Sequence, residues 1–154
     1  LLSAVAHDLE IAVERFRIEW DDARAKVTGT YDTRSLRVLH PVVHGAPSPS
    51  SLSSKDLRKI EENMQHDVLG TASHPEARFE STAIEADGDA HRITGMLTLH
   101  GQSRPLTARI TREGDRFVTE LTLDQRDFGI KPYSAMMGTL KIKPDVHVRV
   151  RVPA

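Results

Sequence analysis

The residues with most chemical potential are the eight histidines, and their spacing decides what they can do. His40 and His44 are set H-x3-H, a separation that places two imidazoles on one face of a helix and lets them share a metal ion. Here they flank Pro41 in a proline- and serine-rich stretch, with no acidic third ligand beside them and no H-E-x-x-H, so no metal centre is expected. His7-Asp8 has the composition of an imidazole oriented by a carboxylate for acid–base work. No G-x-S-x-G elbow or other nucleophile motif accompanies it, and it reads as a structural, hydrogen-bonded histidine. Arg126-Asp127 reads as a structural ion pair or as a closure of the barrel end rather than as chemistry. Gly88, Gly95 and Gly101 fall in or between hairpin turns rather than in a phosphate loop. With no cysteine, thiol chemistry, cysteinyl zinc and iron–sulfur sites are excluded. The expectation is a non-enzymatic protein without catalytic residues, metal or cofactor.

Composition narrows the partners. Twenty-one basic and 22 acidic residues give a formal charge of −1, and both signs are interspersed, unlike the clustered excess of Lys and Arg that grips nucleic acid. At 154 residues the chain reads as one domain, 1–154, able to bury roughly 70% of its unfolded surface without a disulfide. No run approaches the ~20 apolar residues that span a bilayer, and Leu1–Ala6 is short and lacks the basic flank of a secretion signal. A soluble protein is expected. Its compartment stays open, periplasmic if an upstream signal was removed and cytoplasmic otherwise.

The positioning elements follow from periodicity. Leu9, Ile11 and Val13 occupy odd positions, and Phe16, Ile18 and Trp20 even ones. That flip across Glu14-Arg15 predicts a bulge or tight corner. Asp21-Asp22 reads as a turn, and alternation resumes at Ala25, Val27, Gly29 and Tyr31, then at Leu36 and Val38. His40 to Leu52 reads as a loop. Leu57, Ile60, Met64 and Val68 recur at helical steps, which predicts a helix over about 54–69, capped by Ser53 or Ser54 and ended by Gly70. Strands are then predicted over about 77–85, 91–99, 104–112, 116–124, 140–143 and 146–152. Short turns force antiparallel neighbours. The fold class is all-β, an antiparallel barrel of about eight strands with one inserted α-helix.

The segments Ala6-His7-Asp8-Leu9, His74-Pro75-Glu76-Ala77-Arg78-Phe79-Glu80-Ser81-Thr82, Thr94-Gly95-Met96-Leu97-Thr98-Leu99-His100-Gly101 with Arg104-Pro105-Leu106, and Gln125-Arg126-Asp127-Phe128-Gly129-Ile130 resemble the YceI-like family, in the right order and across nearly the whole chain. That resemblance implies a lipocalin-like eight-stranded barrel whose elongated apolar cavity holds a polyisoprenoid or other long-chain amphiphile, in proteins often exported to the periplasm. Many members carry a full strand before the position of His7, so the resemblance also implies a short or missing first strand here.

An eight-stranded barrel is wide enough either to fill itself with side chains or to enclose one slender molecule. A chain of about fifteen carbons gains on the order of 12 kcal/mol from burial before the costs of immobilisation. The residues expected to meet such a ligand are Trp20, Phe79, Leu97, Leu99, Leu106, Ile110, Phe117, Leu121, Phe128, Tyr133, Met136, Met137 and Leu140. Tyr133, Met136 and Met137 cluster between Phe128 and Leu140 as a portal, where flexible thioethers and a phenol suit the change from tail to head group. Two classes of function follow. One is a carrier or sequestering module for an isoprenoid, quinone or fatty-acyl compound; the other is a ligand-free structural or protein-interaction barrel, as a homodimer in one version.

Overall fold

Alternating greasy and polar residues form twelve strands within residues 8–135 and 140–154, which are those described by the computed structural model. In chain order they are β1 (Asp8–Val13), β2 (Phe16–Asp21), β3 (Lys26–Asp32), β4 (Leu36–Val43), β5 (Ala46–Pro47), β6 (Glu76–Asp87), β7 (Ala90–Leu99), β8 (Gln102–Glu113), β9 (Arg116–Asp124), β10 (Ser134–Ala135), β11 (Leu140–Lys141) and β12 (Asp145–Pro153). A seven-stranded antiparallel sheet in the order β12-β9-β8-β7-β6-β3-β2 curls as a half-barrel, beside a three-stranded sheet β1-β4-β5 and the pair β10-β11. The expected all-β antiparallel architecture with one inserted helix is present. Six antiparallel steps separate β2 from β12, so these two edges run in the same direction, and among the described residues no ladder joins them. The inner surface is therefore an open trough rather than a closed tube.

The parity flip at Glu14-Arg15 is the corner at which the chain leaves one sheet for the other. β1 pairs with β4, and β2 pairs with β3. Between them the Glu14 amide donates to the Ser35 carbonyl at 3.2 Å, and the Arg15 amide donates to Ser35 Oγ at 2.9 Å. The Ser35 hydroxyl donates in turn to the Asp32 carbonyl at 2.7 Å. Ser35 is fully buried, so no water substitutes for these bonds. The Arg34 and Arg15 guanidiniums grip the Asp32 carboxylate from outside at 3.0 Å each.

A reciprocal cap starts helix α1 (Ser54–Asn63): Ser53 accepts from the Asp56 amide and Asp56 accepts from the Ser53 amide. The helical segment continues to Val68 through a wide turn, in which the Leu69 amide donates to the Met64 carbonyl at 2.9 Å. Gly70, left-handed at φ 53°, ends it. The Glu61 carboxylate docks this segment on β4 by accepting the Val38 amide at 3.0 Å, while Gln65 Nε2 donates to the Thr33 and Leu36 carbonyls.

Two local expectations are corrected. The stretch from His40 is not all loop, because β4 runs through Pro41 to Val43. Pro41 is among the most buried side chains and stands opposite Leu9 of β1. Its carbonyl still accepts the Ser48 amide at 2.8 Å. Arg126 pairs not with Asp127 but with Asp124, at 2.6 Å. That carboxylate already caps the short turn Gln125–Phe128 by accepting the Arg126 amide, so one side chain serves both purposes.

Two consequences are measurable. Ser35→Ala leaves the Arg15 amide without its acceptor inside the corner, a loss of about 1–3 kcal/mol, to be read as a lower urea midpoint at unchanged m. Hydrogen bonding from Arg34, then Arg15, lowers the Asp32 pKa from 3.8 to about 2. A depressed carboxylate contributes stability above its unfolded pKa and loses it as pH falls through the folded value. Wild-type stability should therefore drop between pH 3.8 and about 2; in Asp32→Asn that part of the decline should flatten in a pH series of denaturation midpoints.

Candidate functional site: the inner face of the half-barrel

Directly paired residues in neighbouring strands share a face, so the registers carry one surface across all seven strands. Trp20 lies opposite Val27, Ile18 opposite Gly29 and Phe16 opposite Tyr31. Gly29 then meets Phe79, Phe79 meets Leu97, and Gly95 meets Leu106. Ile93 meets Ala108 and His91 meets Ile110; beyond these, Ile110 meets Thr119 and Arg112 meets Phe117. The face ends with Leu123, Leu121, Thr119 and Phe117 against Val146, Val148, Val150 and Val152.

Its two sides differ in filling. On the β3-β6-β7 side, aromatic rings occupy the space that glycines leave: a Cβ on Gly95 would stand 2.7 Å from Phe79 Cζ, and one on Gly29 would stand 2.8 Å from the Tyr31 hydroxyl. Burial raises the Tyr31 pKa. Phe16 stacks on the same ring at 6.0 Å between centroids. Leu97, Phe128 and Ile130 form a buried cluster, against which Val68, Leu69, Phe79, Leu99, Leu106 and Leu123 pack. On the β8-β9-β12 side no described residue covers the inner face to that degree. Leu106, Ala108, Ile110, Phe117, Leu121, Val148 and Val150 are all only half-buried.

The sequence-derived site residues therefore separate. Leu106, Ile110, Phe117 and Leu121 come together on the open side. Leu97, Leu99 and Phe79 form the filled wall, and Trp20 stands on the β2 edge, 46% exposed, with its ring edge-on to His91 at 6.2 Å. Phe128 is 3% exposed and belongs to the packed cluster. Tyr133 is half-buried, and its hydroxyl accepts from Asn63 Nδ2 at 3.2 Å, which ties α1 to the segment before β10. Met136 and Met137 lie outside the described residues, and Leu140 contributes its backbone to β11. Sequence reading passed over the inner-face valines of β12 and the edge residues Phe16 and Ile18, although their alternation was visible.

Electrostatically the inner face is one-sided. None of its strand positions from Phe16 to Val152 is an Asp or Glu, whereas Arg104 and Arg112 both belong to it. His40 Nε2 lies 3.2 Å from the Glu10 carboxylate on the other sheet, and among the described residues no three His, Cys, Asp or Glu cluster for a metal. Two surface depressions, of about 450 Å³ beside Trp20 and Arg24 and about 370 Å³ beside Phe16 and Arg34, lie along β2 and β3, away from the half-buried side.

The Gly95–Phe79 contact gives a direct test of the wall. In Gly95→Ala the new methyl collides with the Glu80 carbonyl as well as the Phe79 ring, and backbone cannot rotate away. Overpacking of about 1–3 kcal/mol should appear as a lowered melting temperature.

The same architecture occurs in solved proteins. BcnA of Burkholderia cenocepacia superposes with a TM-score of 0.62 at 19% identity, covering 92% of this chain and 84% of that one. The YceI protein of Campylobacter jejuni gives 0.62 at 16% identity, over 96% and 84%. In sequence, Protein YceI of Escherichia coli O157:H7 is 40% identical over 75 residues, 42% of this chain and 39% of the relative, so the match spans about two fifths of that protein's length. The YceI-like domain profile matches residues 5–154, and the chain, with its half-barrel and inserted helix, belongs to the YceI-like family.

Proposed function

We propose that this protein binds, and thereby sequesters or carries, one long-chain apolar molecule laid along β8, β9 and β12, without catalysing a reaction on it. The observation that carries this reading is the half-buried, carboxylate-free apolar bed from Leu106 to Phe117 and Leu121. A flexible chain burying methylenes there gains about 0.8 kcal/mol for each, without requiring a nucleophile, metal or cofactor. Isoprenoid, isoprenoid-quinone and fatty-acyl compounds all have that shape. A secreted or periplasmic setting would suit such a carrier.

A specific observation favours a second reading. β12 is a nine-residue edge strand with no outer neighbour among the described residues, and an uncovered edge invites pairing with another chain. A homodimer joined there would place Arg149 and Arg151 near their own copies, an unfavourable arrangement for cross-strand neighbours. Light scattering after size exclusion reads this directly, and a monomer at micromolar concentration removes it.

Native mass spectrometry of gently purified protein, followed by organic extraction, tests the favoured reading. The expected result is a bound mass that extracts as a long-chain lipid, together with uptake of added prenyl and acyl probes. Ala108→Phe, which thickens the bed between Ile93 and the β9 side, should weaken probe uptake by at least about tenfold while leaving the circular dichroism spectrum unchanged. A homogeneous ligand-free species indifferent to every probe would overturn the proposal.

A further inference from the structure

Charge is distributed between the two faces of the curled sheet in a pattern that apolar packing does not require. On the outer face, four guanidiniums are matched with carboxylates, Arg78 with Glu80 at 2.8 Å, Arg109 with Asp87 at 3.1 Å, Arg92 with Asp87 at 3.4 Å, and Arg149 with Glu120, while Arg116 and Arg151 make no ion pair among the described residues. The inner face holds two guanidiniums and no acid. Arg104 stands directly opposite Leu97 and, two residues along β8 from Leu106, faces the same side. Among the described residues it makes no ion pair. Its only polar contact there is Nη1 donating to the Ser103 carbonyl at 3.1 Å, which leaves most of a guanidinium's five donors available.

We propose that Arg104 binds an anionic head group, a carboxylate or phosphate, of the long-chain molecule whose tail lies on the bed from Leu106 to Phe117. This assignment rests on the apolar-binding reading and narrows its ligand class. The planar fork of a guanidinium receives either anion through two parallel hydrogen bonds. From that anchor, β8 leads away past Leu106, Ala108 and Ile110, about 20 Å of apolar wall at 3.3 Å per residue, enough for a tail of a dozen or more carbons. Arg112, at the far end of the wall, donates Nε to the Gly114 carbonyl at 3.0 Å in its own hairpin, and Phe117 opposite it closes the bed. Arg104 instead has bed on one side and the packed Leu97 on the other. That asymmetry selects it over Arg112.

Titrations of the full chain with hexadecanoate, hexadecyl phosphate and neutral hexadecanol, followed by displacement of dansyl-undecanoate, test the assignment. The anionic probes should bind at least about tenfold more tightly than the alcohol, equivalent to about 1.4 kcal/mol, and the stronger of the two identifies the head as carboxylate or phosphate. Arg104→Gln should abolish that preference and leave hexadecanol unaffected, Arg104→Lys should retain part of it, and Arg112→Gln should leave it intact. Equal binding of all three probes to wild type, or a preference that survives Arg104→Gln or vanishes in Arg112→Gln, overturns the role of Arg104. If hexadecanol binds in any of those cases, the apolar bed stands alone. Failure of all three probes to bind removes both readings together.

Discussion

Successive side chains in a pleated strand point to opposite faces, so a slip of one residue anywhere in the seven-stranded sheet would send a greasy row into water and a charged row into the trough. The inner face exists only because six ladders hold the same register from β2 to β12. Several contacts pin it. β6 carries an extra residue between Ser81 and Ala83, and the Ser81 hydroxyl accepts the Val27 amide at 2.8 Å from the neighbouring strand. A bulge fixed by a side chain cannot migrate along the ladder. The ring of Phe79 over Gly95 locks β6 against β7 in the same way, since only a position without Cβ admits it.

The corner transmits this register to the N-terminal sheet. β1 and β2 have opposite parity, and each is correctly phased for its own partner, β4 or β3. Buried Ser35 makes that possible by satisfying the backbone where neither ladder reaches. Thr33 extends the tie to the far side of the helix, its hydroxyl donating to the His74 carbonyl at 2.6 Å. Three segments distant in sequence thus meet at one polar knot, while the apolar surfaces on either side remain simple.

Much of this was legible in the chain. Period-two alternation located β6 to β9 to within a few residues, the odd-to-even switch at Glu14-Arg15 located the corner, and Ser53 with Gly70 marked the helix ends. These are local signals, each carried by a few consecutive residues. What the sequence hid depends on pairing between distant segments. Pro41 argued against a strand until β1 supplied Leu9 as its partner. Arg126 has an acid on its C-terminal side and another two residues before it, and only the capped turn chooses Asp124. Arg104 read as part of a motif. Its inner-face position became visible only through its register opposite Leu97.

Openness follows from the same arithmetic. An antiparallel meander of seven strands presents two edges that run alike, and β1, which continues from β2, is committed to β4. Among the described residues few hydrophobic side chains are fully buried, and those that are lie mostly on the β3-β6-β7 side or in the turn after β9; the half-buried wall contributes less to folding than its composition would allow. A ligand covering that wall binds the folded chain and not the unfolded one, so occupancy at a hundred times Kd would add about 2.7 kcal/mol to stability. Folding and the proposed binding would then draw on one apolar surface. Among the described residues the wall is left half-buried by side chains, and the proposed long-chain ligand would cover the same surface that folding leaves exposed.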